Sequence, residues 1–200
     1  GYGYYLVERM RLGSYGVDYI NNFAPREYLA RVTTGADNTL AFTEAEVNHM
    51  HDVKWVLLIA TVAVAVLFLL TLFSSISLRE RAPGTIRRSL FSGAWITLGL
   101  IAVLGVVGVF GWEWLFTTFH RVFFPQGNWE FSVRSSLIRL YPPQFWIDAA
   151  IAVAVLVAAQ ITLLLVTTWP TKYRKLKAER RRQERQELRV KLASARVGDN

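Results

Sequence analysis

Three long, nearly uncharged apolar runs constrain this chain more than any other feature. The first covers about residues 54–77 (KWVLLIATVAVAVLFLLTLFSSIS) and carries no charge after Lys54. The second covers about 90–112 and the third about 146–168. A helix of about 20 apolar residues crosses a hydrocarbon core of about 30 Å. The chain therefore reads as an all-α integral membrane protein, a helical bundle with three visible transmembrane helices. Its 200 residues are 52% hydrophobic, above the usual ~45–50% of soluble domains, and the excess sits in these runs. The length fits a single membrane domain over 1–200 with no separate soluble core. The second run contains Gly93, Gly99, Gly105, Gly108 and Gly111, a composition that in lipid favours close helix packing. The third has Asp148 near its start and Gln160 inside it.

Charge predicts which side each connection faces. Residues 78–88 (LRERAPGTIRR) hold four arginines and one glutamate. The tail at 170–200 holds eleven basic and four acidic residues. Together they contain fifteen of the 23 Lys and Arg residues, so the positive-inside rule places the 78–89 loop and the 170–200 tail in the cytoplasm. The two placements agree, because an odd loop and the last tail share a side. Residues 1–53, with four basic and seven acidic groups, and residues 113–145 then face outward. Three spans leave the first residue outside and the last inside, which implies a preceding fourth span in the full protein. The start at Gly1, without a methionine or a signal-peptide pattern, fits that expectation. The tail has high helix propensity and reads as a helix continuing out of the third span. Its charge suits anionic lipid headgroups. No base-reading aromatic accompanies it, so nucleic acid is not expected as a partner.

Several chemistries are excluded by composition. There is no cysteine, hence no disulfide, thiolate nucleophile or cysteine-bound zinc. No phosphate-binding glycine loop follows a strand, and no GxSxG elbow occurs. The three histidines, His49, His51 and His120, all lie outside the apolar runs. His49 and His51 precede the first run and His120 follows the second, so both segments fall at the same outer surface. Histidine is the side chain best suited to proton transfer near neutral pH. The plain alternative is an interfacial aromatic belt made of Trp112, Trp114, Trp129, Tyr141 and Trp146.

Residues 114–124 are too apolar for a solvated loop and too short to span, which predicts an interfacial or re-entrant piece. Pro125, Gly127 and Pro142-Pro143 break the stretch from there to the third run into turns. Asn128, Glu130, Arg134 and Arg139 add polar groups at the same depth, a mixture that suits a lipid headgroup with its ester bonds. His49 with Asp52, or His51 with Glu44 or Glu46, plus His120, offers metal-ligand chemistry. The HExxH spacing is absent, however, and residues two apart lie about 200° apart on a helix. No metal or other cofactor is expected.

The outer segments resemble the Lit-type family of bacterial lipoprotein intramolecular transacylases. The resemblance rests on Phe42-Thr43-x-x-Glu46 and His49-Met50-x-Asp52-Val53-Lys54, at the entrance to a span. It rests also on Phe116-x-x-Phe119-His120-x-x-Phe123-Phe124-Pro125 with Gly127-Asn128-Trp129. Leu137-Ile138-Arg139-Leu140-x-Pro142 and Phe145 precede the last span as in the family, and Gly16-Val17-Asp18-Tyr19 fits weakly. The resemblance implies transfer of the sn-2 acyl chain of a diacylglyceryl cysteine to that cysteine's own α-amino group, without a soluble cofactor.

On that implication His120 is the principal general base and acid, and His49 its partner in proton handling or polarisation. Asp52 is assigned to orienting His49. Asn128, Arg139 or a backbone N–H is assigned to the oxyanion, and Trp129, Phe119 and Phe123 join Asn128 and Arg139 in binding substrate. His51 carries no role. The partners are membrane lipids and lipidated proteins, and the location a bacterial inner membrane with the C-terminus cytoplasmic. Two other readings remain open on the residues alone: an accessory subunit of a larger membrane complex, and a lipase-like interfacial hydrolase.

Overall fold

The computed structural model describes residues 4–35, 37–81 and 84–198. Among them the chain is helical, with one isolated antiparallel bridge between Thr33 and Leu40. The helices are α1 (Leu6–Asn21), α2 (Glu27–Ala30), α3 (Glu44–Arg81), α4 (Thr85–Phe110), α5 (Trp112–Phe123), α6 (Ser136–Leu140), α7 (Pro143–Thr168) and α8 (Lys172–Gly198). Three of them, α3, α4 and α7, are long and apolar enough to cross a membrane. Their large apolar side chains face outward: Phe68, Phe73, Ile96, Val109 and Leu163 are all more than half exposed. Water penalises such a surface and hydrocarbon does not.

The helix ends differ from the apolar boundaries because caps, and not hydropathy, set them. α3 begins ten residues before Lys54, at Glu44. Thr43 stands just ahead of it, and its Oγ1 accepts from the Glu46 N–H at 3.3 Å. In return Glu46 Oε2 accepts from the Thr43 N–H at 2.7 Å. This reciprocal pair is a capping box, and it starts a helix wherever the sequence supplies it. His49, His51 and Asp52 consequently lie on the helix that enters the apolar stretch, and not in a loop before it. Pro143 opens α7, where its missing N–H costs nothing. The expected continuation of the third span into the tail is also corrected. α7 ends at Thr168 and α8 starts at Lys172, because Pro170 has no N–H for the ladder and disfavours helix in the residue before it.

The chain divides into two compact units. One comprises residues 70–101 and 157–200. In it Ala94, Ile161 and Thr168 are buried, and Phe91 meets the ring of Trp169 edge-on at 5.7 Å. The other comprises residues 1–69 and 102–156 and contains all three histidines. Its core gathers Leu12 and Tyr19 of α1, Leu29 of α2, Val47 and Met50 of α3, and Leu137 and Leu140 of α6, with Phe42.

Two contacts fix α1 in this unit. Tyr141 Oη donates to the Gly13 carbonyl at 2.6 Å, and burial pushes the phenol up to about 12, so the donor stays protonated. The phenol also fills the space beside Gly16, where a Cβ atom would stand 2.2 Å from its oxygen. Replacing Gly16 with alanine should therefore destabilise this unit by about 1–3 kcal/mol, as overpacking does. Thermal unfolding in detergent checks this, and an unchanged midpoint would contradict the packing described.

Candidate active site

The two histidines of α3 face different neighbours, as a two-residue spacing on a helix requires. The Trp55 indole N–H donates to His51 Nε2 at 3.1 Å. An indole nitrogen only donates, so Nε2 holds the lone pair and Nδ1 the proton. Nδ1 then donates to the Tyr19 hydroxyl oxygen at 3.2 Å. Both nitrogens of His51 are engaged, Nε2 within α3 and Nδ1 in tying α3 to α1.

His49 is buried and sits between the edges of Phe124 and Phe131, at 4.9 and 5.5 Å between ring centroids. Its ring faces that of His120 at 6.2 Å and 25°. The structure thus brings together histidines that lie 71 positions apart in the sequence. Buried His49 Nδ1 has no hydrogen-bond partner among the described residues.

His120 lies in the last turn of α5. Phe116 packs on it at 4.0 Å, Trp129 at 5.0 Å, Phe119 at 5.5 Å and Phe124 at 5.6 Å. Its Nδ1 stands 2.8 Å from the Phe116 carbonyl oxygen. A carbonyl only accepts, so Nδ1 must carry the proton, and in the neutral ring Nε2 carries the lone pair. Burial among these rings holds His120 below the usual histidine range, against an opposing pull from the Phe116 carbonyl. Burial favours the neutral ring, and its tautomer is defined, with the lone pair on Nε2.

The other expected site residues fall around this pair in different ways. Asp52 Oδ2 accepts from Gln126 Nε2 at 3.0 Å and Asn128 Nδ2 at 2.6 Å. Its hydrogen bonds therefore hold the loop after α5. Trp129 follows in that loop and lies against His120. Phe119 and Phe123 pack together at 4.7 Å with about half of each exposed, an apolar surface next to the His120 ring. Arg139 places its guanidinium 3.8 Å from the centroid of the Tyr4 ring, on α6.

Glu46 has a larger structural part than its place in a motif suggests. It is 1% exposed. Oε2 also accepts from Thr43 Oγ1 at 2.9 Å, while Oε1 accepts from the Leu137 N–H at 2.9 Å. One carboxylate therefore caps α3 and fastens the start of α6. The Thr-x-x-Glu spacing signals the first role, but nothing local signals the second. Phe116 and Phe124, four residues either side of His120, were legible as same-face neighbours. Among the described residues no cluster of three or more His, Asp or Glu is arranged to hold a metal ion.

Membrane-length helices and an aromatic-lined histidine pair, one on the first turns of α3 and one on α5, define a membrane protein with a candidate acid–base site. Residues 6–146 match the family model described as lipoprotein intramolecular transacylase Lit, and the chain belongs to that family. It is also 33% identical over 151 residues to a protein of Aquifex aeolicus (strain VF5) described as uncharacterized. That alignment covers 74% of this chain and 66% of the relative, so the chain spans just under two thirds of that relative's length. No solved structure matches.

Proposed function

We propose that this protein is an intramolecular acyltransferase, moving the sn-2 acyl chain of a diacylglyceryl-cysteine lipoprotein to that cysteine's own α-amino group. The observation that carries this is His120: neutral, held in one tautomer by its own helix, and facing a second buried histidine inside the family's matched region.

An α-amino group has a reference pKa of about 7.7–8.0 and must lose a proton before it attacks an ester. That first proton goes to solvent, and as the amine attacks, His120 Nε2 takes a second proton from the nitrogen. The amine nitrogen forms a bond to the ester carbonyl carbon, and the carbonyl oxygen becomes an oxyanion. On collapse the C–O bond to glycerol breaks, and the imidazolium of His120 returns the proton to the leaving oxygen. His49 faces the same space and polarises the reacting carbonyl or steadies the charge on His120. Nucleophile and ester belong to one molecule, so positioning supplies much of the rate; well-oriented intramolecular reactions reach effective molarities of about 10⁵ M or more. Phe119 and Phe123 offer the acyl chain an apolar surface beside the base.

The same reading puts the site on the outer face of a bacterial inner membrane. The C-terminus is then cytoplasmic, and the basic α8 meets anionic headgroups.

Substrate and product are isomers, so intact mass cannot separate them. The test is tandem mass spectrometry of a diacylated model lipopeptide incubated with the protein in lipid nanodiscs. The expected result is one acyl chain moved to the cysteine nitrogen and resistant to mild alkali. Recovery of both chains as esters sinks the reading.

The His120 ring should titrate below pH 6.5, because burial disfavours its charged form and keeps it neutral further into acid. The rate itself falls from higher pH, since the acceptor ammonium must also lose its proton. NMR titration of the labelled histidine ring in detergent measures the first, and a midpoint at or above 6.5 contradicts the burial of His120.

A further inference from the structure

Asn128 Nδ2 donates to the Asp52 carboxylate at 2.6 Å. An ionised carboxylate accepts only, so this bond fixes which way the amide points. One of the two Asn128 N–H groups is thereby engaged, and Oδ1 turns the other way. That oxygen is buried and has no partner among the described residues. Asn48 Oδ1 is in the same condition, and Asn48 stands one helical turn before Asp52 on α3. Buried acceptors are nearly always satisfied, so two unmet ones, on the residue before His49 and on the residue before Trp129, call for a ligand that donates.

The neighbouring base adds another acceptor. Trp129 follows Asn128 and packs on His120, whose Nε2 carries a lone pair. Unmet acceptors are the wrong complement for an oxyanion, which needs donors. They are the right complement for a primary ammonium, which brings three N–H donors.

We propose that the Asn48 and Asn128 amide oxygens form an amine subsite, which receives the ammonium group of the acceptor and presents it to His120. The inference rests on the acyl-transfer reading and says where its nucleophile binds. It gives Asn128 a part played by its oxygen, apart from any donation by the amide N–H that Asp52 does not engage. The held ammonium gives one proton to solvent, and the electron pair freed on nitrogen forms the bond to the ester carbon. A second N–H bond breaks toward His120 Nε2, which returns that proton to the glycerol oxygen, so the product amide keeps one N–H on an amide oxygen.

The experiment compares two unreactive probes: an ether-linked dialkylglyceryl-cysteine peptide with a free α-amino group, and its desamino counterpart. Binding is measured in nanodiscs by quenching of protein tryptophan fluorescence. Wild type is expected to bind the free amine about ten- to a hundredfold more tightly, the range for hydrogen bonds to a charged group. In Asn128→Leu the ratio should fall toward one, with desamino affinity within threefold of wild type. Asn48→Leu removes an acceptor for which the structure shows no bond, and it supplies the deciding ratio where Asn128→Leu does not fold. No preference in wild type, or an undiminished preference in the deciding variant, overturns the subsite. Tandem mass spectrometry of the ester substrate runs alongside. Absence of transfer with amine preference intact refutes the acyltransferase reading and leaves the subsite standing. Transfer without amine preference does the reverse.

Discussion

Replacing His120 with alanine is expected to cut acyl transfer by about 10²–10⁴-fold, the usual contribution of a positioned general acid–base group. The alanine variant also leaves a space among four aromatic rings. Asparagine is therefore the sharper substitution. Its side-chain N–H can take over the bond to the Phe116 carbonyl, as Nδ1 does at 2.8 Å, yet it offers no base at the position of Nε2. His120→Asn and His120→Ala should lose activity to a similar degree, with His120→Asn keeping a thermal midpoint near wild type. Rates come from tandem mass spectrometry of product against time. Transfer by His120→Asn within tenfold of wild type would falsify the assignment of the base.

The largest loss of stability is expected at Glu46. Alanine there leaves the Leu137 N–H and the Thr43 N–H without their acceptor and removes half of the α3 capping box. The buried Leu137 N–H left unmet costs about 1–3 kcal/mol, and losing the α3 cap adds about 1 kcal/mol, so a loss of roughly 3 kcal/mol is expected. Glutamine should recover about half of it. Its carbonyl oxygen can serve one N–H, while its amide nitrogen must face the other. Thermal unfolding of the three proteins in the same detergent gives the order wild type, Glu46→Gln, Glu46→Ala. A Glu46→Ala midpoint equal to wild type removes Glu46 as the link between α3 and α6. That link matters to the site, because α6 closes the loop that carries Asn128 and Trp129.

These two residues also mark how far the sequence could be read. His120 was legible because histidine chemistry is rare in this chain and the aromatic spacing around it resembles a family. Glu46 was only partly legible. Its cap is a local pattern, but its bond to Leu137 spans 91 positions, and no periodicity announces such a bond. The apolar runs gave three helices because lipid demands length and hydropathy together. They do not mark the start of α3, since Thr43 and Glu46 decide that end by hydrogen bonding. Pro170 carried a break between α7 and α8 that the run of helix formers in the tail outweighed. The divergence of His49 from His51 followed from geometry once both were on a helix. Asp52 did not: its residue type fits a partner for a histidine, and only the fold shows its oxygen engaged by Gln126 and Asn128.

The early start of α3 has one more consequence. His49 stands six residues before Trp55 on one uninterrupted helix, a rise of about 9 Å. The depth of the histidine pair is therefore set by how that helix seats itself in its bilayer. A thicker membrane draws the site toward the hydrocarbon, and a thinner one lifts it toward water. On the proposed acyl-transfer reading the helix acts as a depth gauge, and the ester it meets is chosen by altitude as well as by shape.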